Sequence, residues 1–142
     1  MASMLGLAAF LLAASATPVV SPLPLAELPT QKLAVNECAL VLWDRATGRR
    51  IAMMLLNPEA IRVVSKGSAL ALPRKAGEGE AVAGFVPRAE YTDGTLRIVT
   101  DLAIVANDTP GSAIVRDGVI SVTDSDGVEV VAPVAGIAGC NR

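Results

Sequence analysis

The two cysteines of this chain are the residues whose possible chemical roles are most restricted by their positions. Cys38 and Cys140 are its only cysteines and lie far apart in the sequence. Redox-active pairs usually stand close together, as in Cys-x-x-Cys, so this spacing does not favour a redox site. In an oxidising compartment, two such cysteines instead predict a structural disulfide that joins the ends of one domain.

The complete lack of histidine excludes several kinds of catalytic site. Ser-His-Asp and Cys-His nucleophile systems and the common histidine-based zinc sites all require an imidazole. Asp124-x-Asp126-Gly127 is similar to the middle of a calcium-binding loop. In that frame, however, Val122 and Pro133 occupy the first and last ligand positions, where carboxylates belong. We therefore predict no metal, no cofactor and no catalytic residue.

Paired carboxylates are the remaining route to catalysis, and a carboxylate-dependent hydrolase is an alternative function. The acidic residues that could supply such a pair are Glu78, Glu80, Glu90 and Asp93. Glu78 and Glu80 belong to the glycine-rich stretch 75–84, which lacks bulky core residues and is predicted to be a mobile loop. Such a loop holds catalytic geometry poorly.

Arg45, Arg49 and Arg50 surround a predicted hairpin turn and form a candidate contact for an anionic partner. A phospholipid headgroup, a wall polymer or an acidic protein has the required charge. Tyr91 and Asp93, next to another predicted turn, form a second candidate contact. Nucleic acid is not an expected partner, because the net charge is −2 and aromatic residues make up only 3% of the chain.

Short apolar segments separated by turn residues predict the elements that position these side chains. The clearest lies at 96–104, where one predicted face contains Leu96, Ile98, Thr100, Leu102 and Ile104. Arg97 and Asp101 point the other way. A period of two indicates a strand with one buried face. Further strands are predicted at 39–43, 51–56, 61–64, 69–72, 85–91, 113–115, 119–123 and 128–134, with 113–115 and 119–123 meeting in a turn at Asp117-Gly118. We predict an all-β domain, a small sandwich or barrel of about eight short antiparallel strands.

The first residues predict export. An uncharged apolar segment ends in Ala14-Ser15-Ala16, which is typical of a signal-peptidase site. The segment is shorter than the roughly 20 residues that a membrane-spanning helix needs, so we expect no transmembrane segment in the mature chain. Residues 1–16 are thus a predicted signal peptide, 17–36 a proline-rich extended linker, and 37–142 a one-disulfide β domain. The expected location is periplasmic or secreted.

Two stretches resemble small secreted bacterial β-domain proteins of unknown function. They are Cys38-Ala-Leu-Val-Leu-Trp43 and Pro133-Val-Ala-Gly-Ile-Ala-Gly-Cys140. The terminal cysteines and the stretch Ala89-Glu-Tyr91-Thr92-Asp93-Gly94 are also similar to periplasmic inhibitors of C-type lysozyme. That resemblance implies a small β-barrel that inserts a loop into the lysozyme cleft. Aligning the tyrosine of the inhibitory Ser-Gly-x-x-Tyr motif with Tyr91 places Pro87 and Arg88 where serine and glycine belong, so no inhibitory residue carries over.

These observations favour an exported, non-catalytic binding or structural protein of the cell envelope. It is expected to contact an envelope or protein partner through exposed edges and turns. A periplasmic inhibitor of a wall hydrolase is a second alternative, beside the carboxylate-dependent hydrolase.

Overall fold

A computed structural model describes residues 22–142 as eight antiparallel strands without a helix. Turn residues separate the strands, as the sequence predicts. The strands are β1 (Cys38–Asp44), β2 (Arg50–Leu56), β3 (Glu59–Ser65), β4 (Ser68–Glu78), β5 (Arg88–Thr92), β6 (Arg97–Ala106), β7 (Ala113–Thr123) and β8 (Glu129–Cys140). The all-β prediction is confirmed.

The strands pair in sequence order and close into a barrel, because β8 returns to pair with β1. The closing register runs from Cys38 opposite Cys140 to Asp44 opposite Val134. Closure decides between the two predicted architectures in favour of the barrel. It also pairs both edges of every strand, so the exposed edges predicted as contact sites do not exist among the described strands.

The barrel interior is packed with aliphatic side chains. On β6, Ile98 and Leu102 are buried while Arg97 and Asp101, on the opposite face, are exposed, which confirms the predicted alternation. The largest fully buried interior residues come from several strands: Leu40, Leu42, Met54, Ile61, Leu72, Ile98 and Ile120. Thr100 also faces inward, and its hydroxyl has no hydrogen-bond partner among the described residues. This interior is a hydrophobic core of buried side chains.

Phe85 contributes to this core from the connection between β4 and β5. This connection doubles back through hydrogen bonds that Val82 and Phe85 exchange at 2.9 and 3.0 Å. Gly84 takes φ +88 there, and a Cβ on it would lie 2.7 Å from Leu56 Cδ1, so the tight return requires glycine. The predicted mobile loop at 75–84 is wrong in part, because β4 continues to Glu78 and the remainder is pinned by Phe85.

The predicted hairpin at Asp117-Gly118 is also wrong. Residues 113–123 form one strand, β7, which pairs along its length with β6 and β8. A bulge between Val115 and Gly118 accommodates the turn-like residues without ending the strand. Local sequence signals for a turn and for a bulge are alike, and pairing with two neighbouring strands decides between them.

Residues 22–36, here called the N-terminal strap, pack on the barrel, which corrects the predicted linker over this range. Leu28 is 2% exposed and packs with Ala39, Met53 and Leu55 on the outer surface of β1 and β2. Leu25 joins the main core. Backbone hydrogen bonds from Ala26 to Val64 and from Leu28 to Arg50 fasten the strap. The predicted signal peptide and residues 17–21 lie outside the described residues.

Cys38 and Cys140 form the predicted disulfide. The bond joins the first residue of β1 to the last residue of β8, which are directly opposite each other in the register that closes the barrel. It therefore covalently secures the pairing that has the largest sequence separation in the fold.

Candidate binding surface

The structure separates the three arginines that the sequence groups together. The Nη1 atom of Arg45 lies 3.1 Å from the carboxylate of Asp117 on β7. The Nε atom of Arg50 donates to the carbonyl oxygen of Leu28 at 2.9 Å, so this side chain fastens the strap. Arg49 forms no side-chain hydrogen bond or ion pair with the described residues. The hairpin thus presents one unpaired cation.

Tyr91 and Asp93 have structural roles. Tyr91 is 3% exposed inside the barrel, and burial raises the pKa of its hydroxyl to about 12. The predicted binding role required Tyr91 to be at the surface. Because the side chain is buried, it is not part of a surface contact. The Oδ1 atom of Asp93 accepts hydrogen bonds from the backbone N–H groups of Leu96 and Thr95 at 2.8 and 2.9 Å. These two bonds lower the pKa of Asp93 and stabilise the turn between β5 and β6.

Glu90 is paired with an arginine. Its Oε1 atom accepts a hydrogen bond from Arg97 Nε at 2.6 Å, and this contact lowers the pKa of Glu90 and raises that of Arg97. A general acid requires the opposite shift of a carboxyl pKa. Glu78 and Glu80 are exposed at and just beyond the end of β4. Glu78 and Glu90 line one small depression together with Arg88 and Arg97, while Asp93 is held in its own turn.

The outer surface of β8 is the unusual feature of this barrel. Strand residues alternate between the two faces, and on β8 the inward set includes Ala132, Val134 and Ala138, all buried. The outward set contains a single charged residue, Glu129, followed by Val131, Pro133, Ala135, Ile137 and Gly139. Val131 is 56% exposed and Ile137 is 51% exposed. A strand that is apolar on both faces is normally covered on both faces.

Neighbouring strands extend this apolar surface. Ile137 is opposite Ile114 of β7, and Ile114 is opposite Val105 of β6, which is 53% exposed. Nearer the other end of β8, Pro133 is opposite Val119, which is 41% exposed. We call the outward side chains of β6, β7 and β8 the uncovered face. Its apolar members are Val99, Ala103, Val105, Ile114, Val119, Val131, Pro133, Ala135 and Ile137.

Charged residues of both signs border the uncovered face. The pair Arg88–Asp101 lies across β5 and β6 with a separation of 3.5 Å between Nη1 and Oδ2. Arg45, at the opposite border, forms a second exposed pair with Asp117, which lies on β7 within the face. Between β5 and β8 the surface forms a shallow depression of about 340 Å³, lined by Val99, Val119, Val131 and their charged neighbours. An apolar centre with a mixed-charge rim is typical of a protein-binding surface.

Sequence reasoning missed this face, although a signal was present. The stretch 130–138 is almost continuously apolar, whereas a strand exposed on one side would show polar residues at every second position. The prediction treated 128–134 as an ordinary strand and sought the contact among charged residues instead. The absence of alternation marks a strand with two apolar surfaces.

Within residues 22–142, no helix is long and apolar enough to cross a membrane. The same residues bring together no group of three acidic or cysteine side chains that would hold a metal ion. Comparisons of the chain with protein-family models, with curated proteins and with solved structures found no match.

Proposed function

We propose that this protein is an exported, non-catalytic binding component of the cell envelope that recognises another protein through the uncovered face. Export and location follow from the amino-terminal sequence and agree with the presence of a disulfide. The observation that carries the binding role is the apolar outer surface centred on Val119, Val131 and Ile137. Most proteins bury their apolar surface, so a contiguous apolar area that stays exposed is typical of an interaction site.

The character of the rim favours a protein partner over an anionic lipid or polymer. Attraction to such a surface requires clustered positive charge. Around the uncovered face, Arg45 and Arg88 are each paired with an acidic residue, Asp117 and Asp101. The remaining unpaired arginine of the first hairpin, Arg49, is a single charge. Mixed charges give specificity toward another folded protein, because both signs must be matched.

A binding role is also supported by how the acidic residues are used. Glu90 is held by Arg97, and Asp93 is held by two backbone N–H groups. Both interactions stabilise ionised carboxylates, which serve the fold. Steady turnover of a wall, lipid or peptide substrate that is lost in Glu90→Gln or Asp93→Asn would contradict the proposal.

Site-specific photo-crosslinking in the exporting cell tests the proposed surface. A photoreactive amino acid is placed at Ile137 or at Val131, and at Ala71 on the exposed outer side of β4 as the matched control. We expect discrete protein adducts from the two uncovered-face positions and none from Ala71. The proposal fails if all three positions give the same adducts, or if none gives any.

A further inference from the structure

We propose that the protein on the uncovered face is a second copy of this chain. This inference rests on the proposed function, because it requires the uncovered face to be a protein-binding surface. Its basis is the register of the barrel. We consider a two-fold axis that runs parallel to the strands and passes between β7 and β8. Rotation about this axis by half a turn brings the uncovered face of a second copy onto the first, and the two faces are complementary.

The charges show this complementarity most clearly. Asp101 of β6 is opposite Val119 of β7, and Val119 is opposite Pro133 of β8. Arg45 continues the same row, since its backbone N–H donates to the carbonyl oxygen of Pro133 at 3.0 Å. The row therefore reads acidic, apolar, apolar, basic. A two-fold axis through its centre places Asp101 of each copy against Arg45 of the other, and Val119 against Pro133.

The apolar rows obey the same symmetry. Ile114 and Ile137 are opposite each other on β7 and β8, so the axis places each against the other residue in the second copy. Ser121 and Val131 are related in the same way. Residues in these two rows thus meet apolar or small partners, with Asp101 and Arg45 at the border. Asp117, in the bulge of β7 between the rows, is the exception, and the same rotation places it above β8 of the second copy, on the side of Arg45. An isologous interface requires this kind of self-matching surface.

The intramolecular ion pairs do not prevent the exchange of partners. The side chains of Arg45 and Asp117 are 49% and 85% exposed, and those of Arg88 and Asp101 are 53% and 66% exposed. Exposed pairs of this kind stabilise a fold very little. Arg45 and Asp101 can therefore turn toward a second copy at small cost, and the new pairs would be less exposed to solvent.

The size of the face sets the expected affinity. Four neighbouring strands span only about 14 Å across the barrel, since strands lie about 4.8 Å apart. The outer surface of a barrel is also convex across its strands, which limits the contact to this strip. A contact at the small end of specific interfaces corresponds to a reversible dimer. We expect dissociation at about micromolar concentration.

Sedimentation of the mature disulfide-bonded chain over a concentration series tests the proposal. We expect the wild-type protein to change from monomer to dimer with rising concentration. Asp101→Arg alone and Arg45→Asp alone each place like charges together and should weaken the dimer at least tenfold. The double variant, Asp101→Arg with Arg45→Asp, restores unlike pairs across the interface and should recover most of the affinity.

Ile137→Asp provides a second test at the apolar centre, with Ala71→Asp as its control on β4. We expect the first variant to remain monomeric and the second to dimerise like the wild type, with both retaining the wild-type circular dichroism spectrum. A wild-type chain that stays monomeric at high micromolar concentration, or a double variant as weak as the single variants, overturns the inference. If crosslinking at Ile137 then still captures a different protein, the proposed function stands while the second-copy inference fails.

Discussion

The two halves of this barrel, β1–β2 and β7–β8, both have apolar outer surfaces, but among the described residues only the surface of β1–β2 is covered by another segment. Outward side chains of β1 and β2, including Ala39, Met53 and Leu55, are covered by Leu28 of the N-terminal strap. Outward side chains of β7 and β8, such as Val119 and Ile137, carry no such cover among the described residues. The apolar surface passes from one half to the other without interruption, since Ile137 is opposite Val41 and Val41 is opposite Met53.

This comparison supports the proposal that the chain covers one half with its own extended segment and leaves the other half for a partner. An apolar outer face contributes to stability only when something removes it from water. The strap does this through side-chain packing and through hydrogen bonds with Arg50 and Val64. The uncovered face has similar apolar side chains, but among the described residues no segment packs on them or forms hydrogen bonds over them.

The largest expected difference between the halves concerns truncation of one aliphatic side chain. Leu28→Ala should lower the free energy of unfolding by about 2–3 kcal/mol, because it leaves a cavity under the strap. Ile137→Ala is the matched change on the uncovered face and should alter it by less than about 0.5 kcal/mol in the monomer. Urea unfolding at low protein concentration measures both. Equal losses would remove the distinction between covered and uncovered surfaces.

A smaller effect distinguishes two adjacent arginines at the border of the strap. Arg50→Met retains much of the apolar stem but loses the hydrogen bonds to Leu28 and Thr30, at 2.9 and 3.3 Å. We expect a loss of about 1 kcal/mol. Arg49→Met removes a guanidinium that has no partner among the described residues, and we expect almost no change. Thermal unfolding of the two variants should rank Arg50→Met below Arg49→Met, and the reverse order would contradict the role of Arg50.

The smallest effect concerns acid and lies in the turn that leads into β6, the first strand of the uncovered face. The pKa of Asp93 is lowered from its ordinary value of 3.8, so the folded state binds this proton less readily than the unfolded state. The associated stabilisation is complete above the ordinary value and is lost as the pH falls through the lowered one. Asp93→Asn should therefore show a smaller decrease in melting temperature between pH 5 and about pH 2 than the wild type. An unchanged decrease would show that the turn does not contribute to acid sensitivity.

The sequence by itself determined the class of fold and the covalent link. The recurrence of large apolar residues with a period of two, as at 96–104, is a local property that one strand displays without its neighbours. The disulfide followed from there being only two cysteines, at the two ends of the β region. Turn chemistry was local at Asp93 and Gly94, which end β5 where they were expected to. It was not decisive at Asp117 and Gly118, which belong to a bulge in β7.

Tertiary structure alone decided that the sheet closes into a barrel, which outer surfaces are covered and which side chains are exposed. Whether β8 pairs with β1 depends on the twist and stagger of all eight strands, which no single segment encodes. The burial of Leu28, the inward position of Tyr91 and the exposure of Ile137 depend on what reaches each outer surface after closure. A proline-rich segment such as 22–36 has no strand or helix pattern, so its packing becomes visible only once the surface of β1 and β2 has formed. The physical reason is that hydrophobic burial is non-directional: a residue type predicts the need for cover, while the assembled fold decides which atoms supply it.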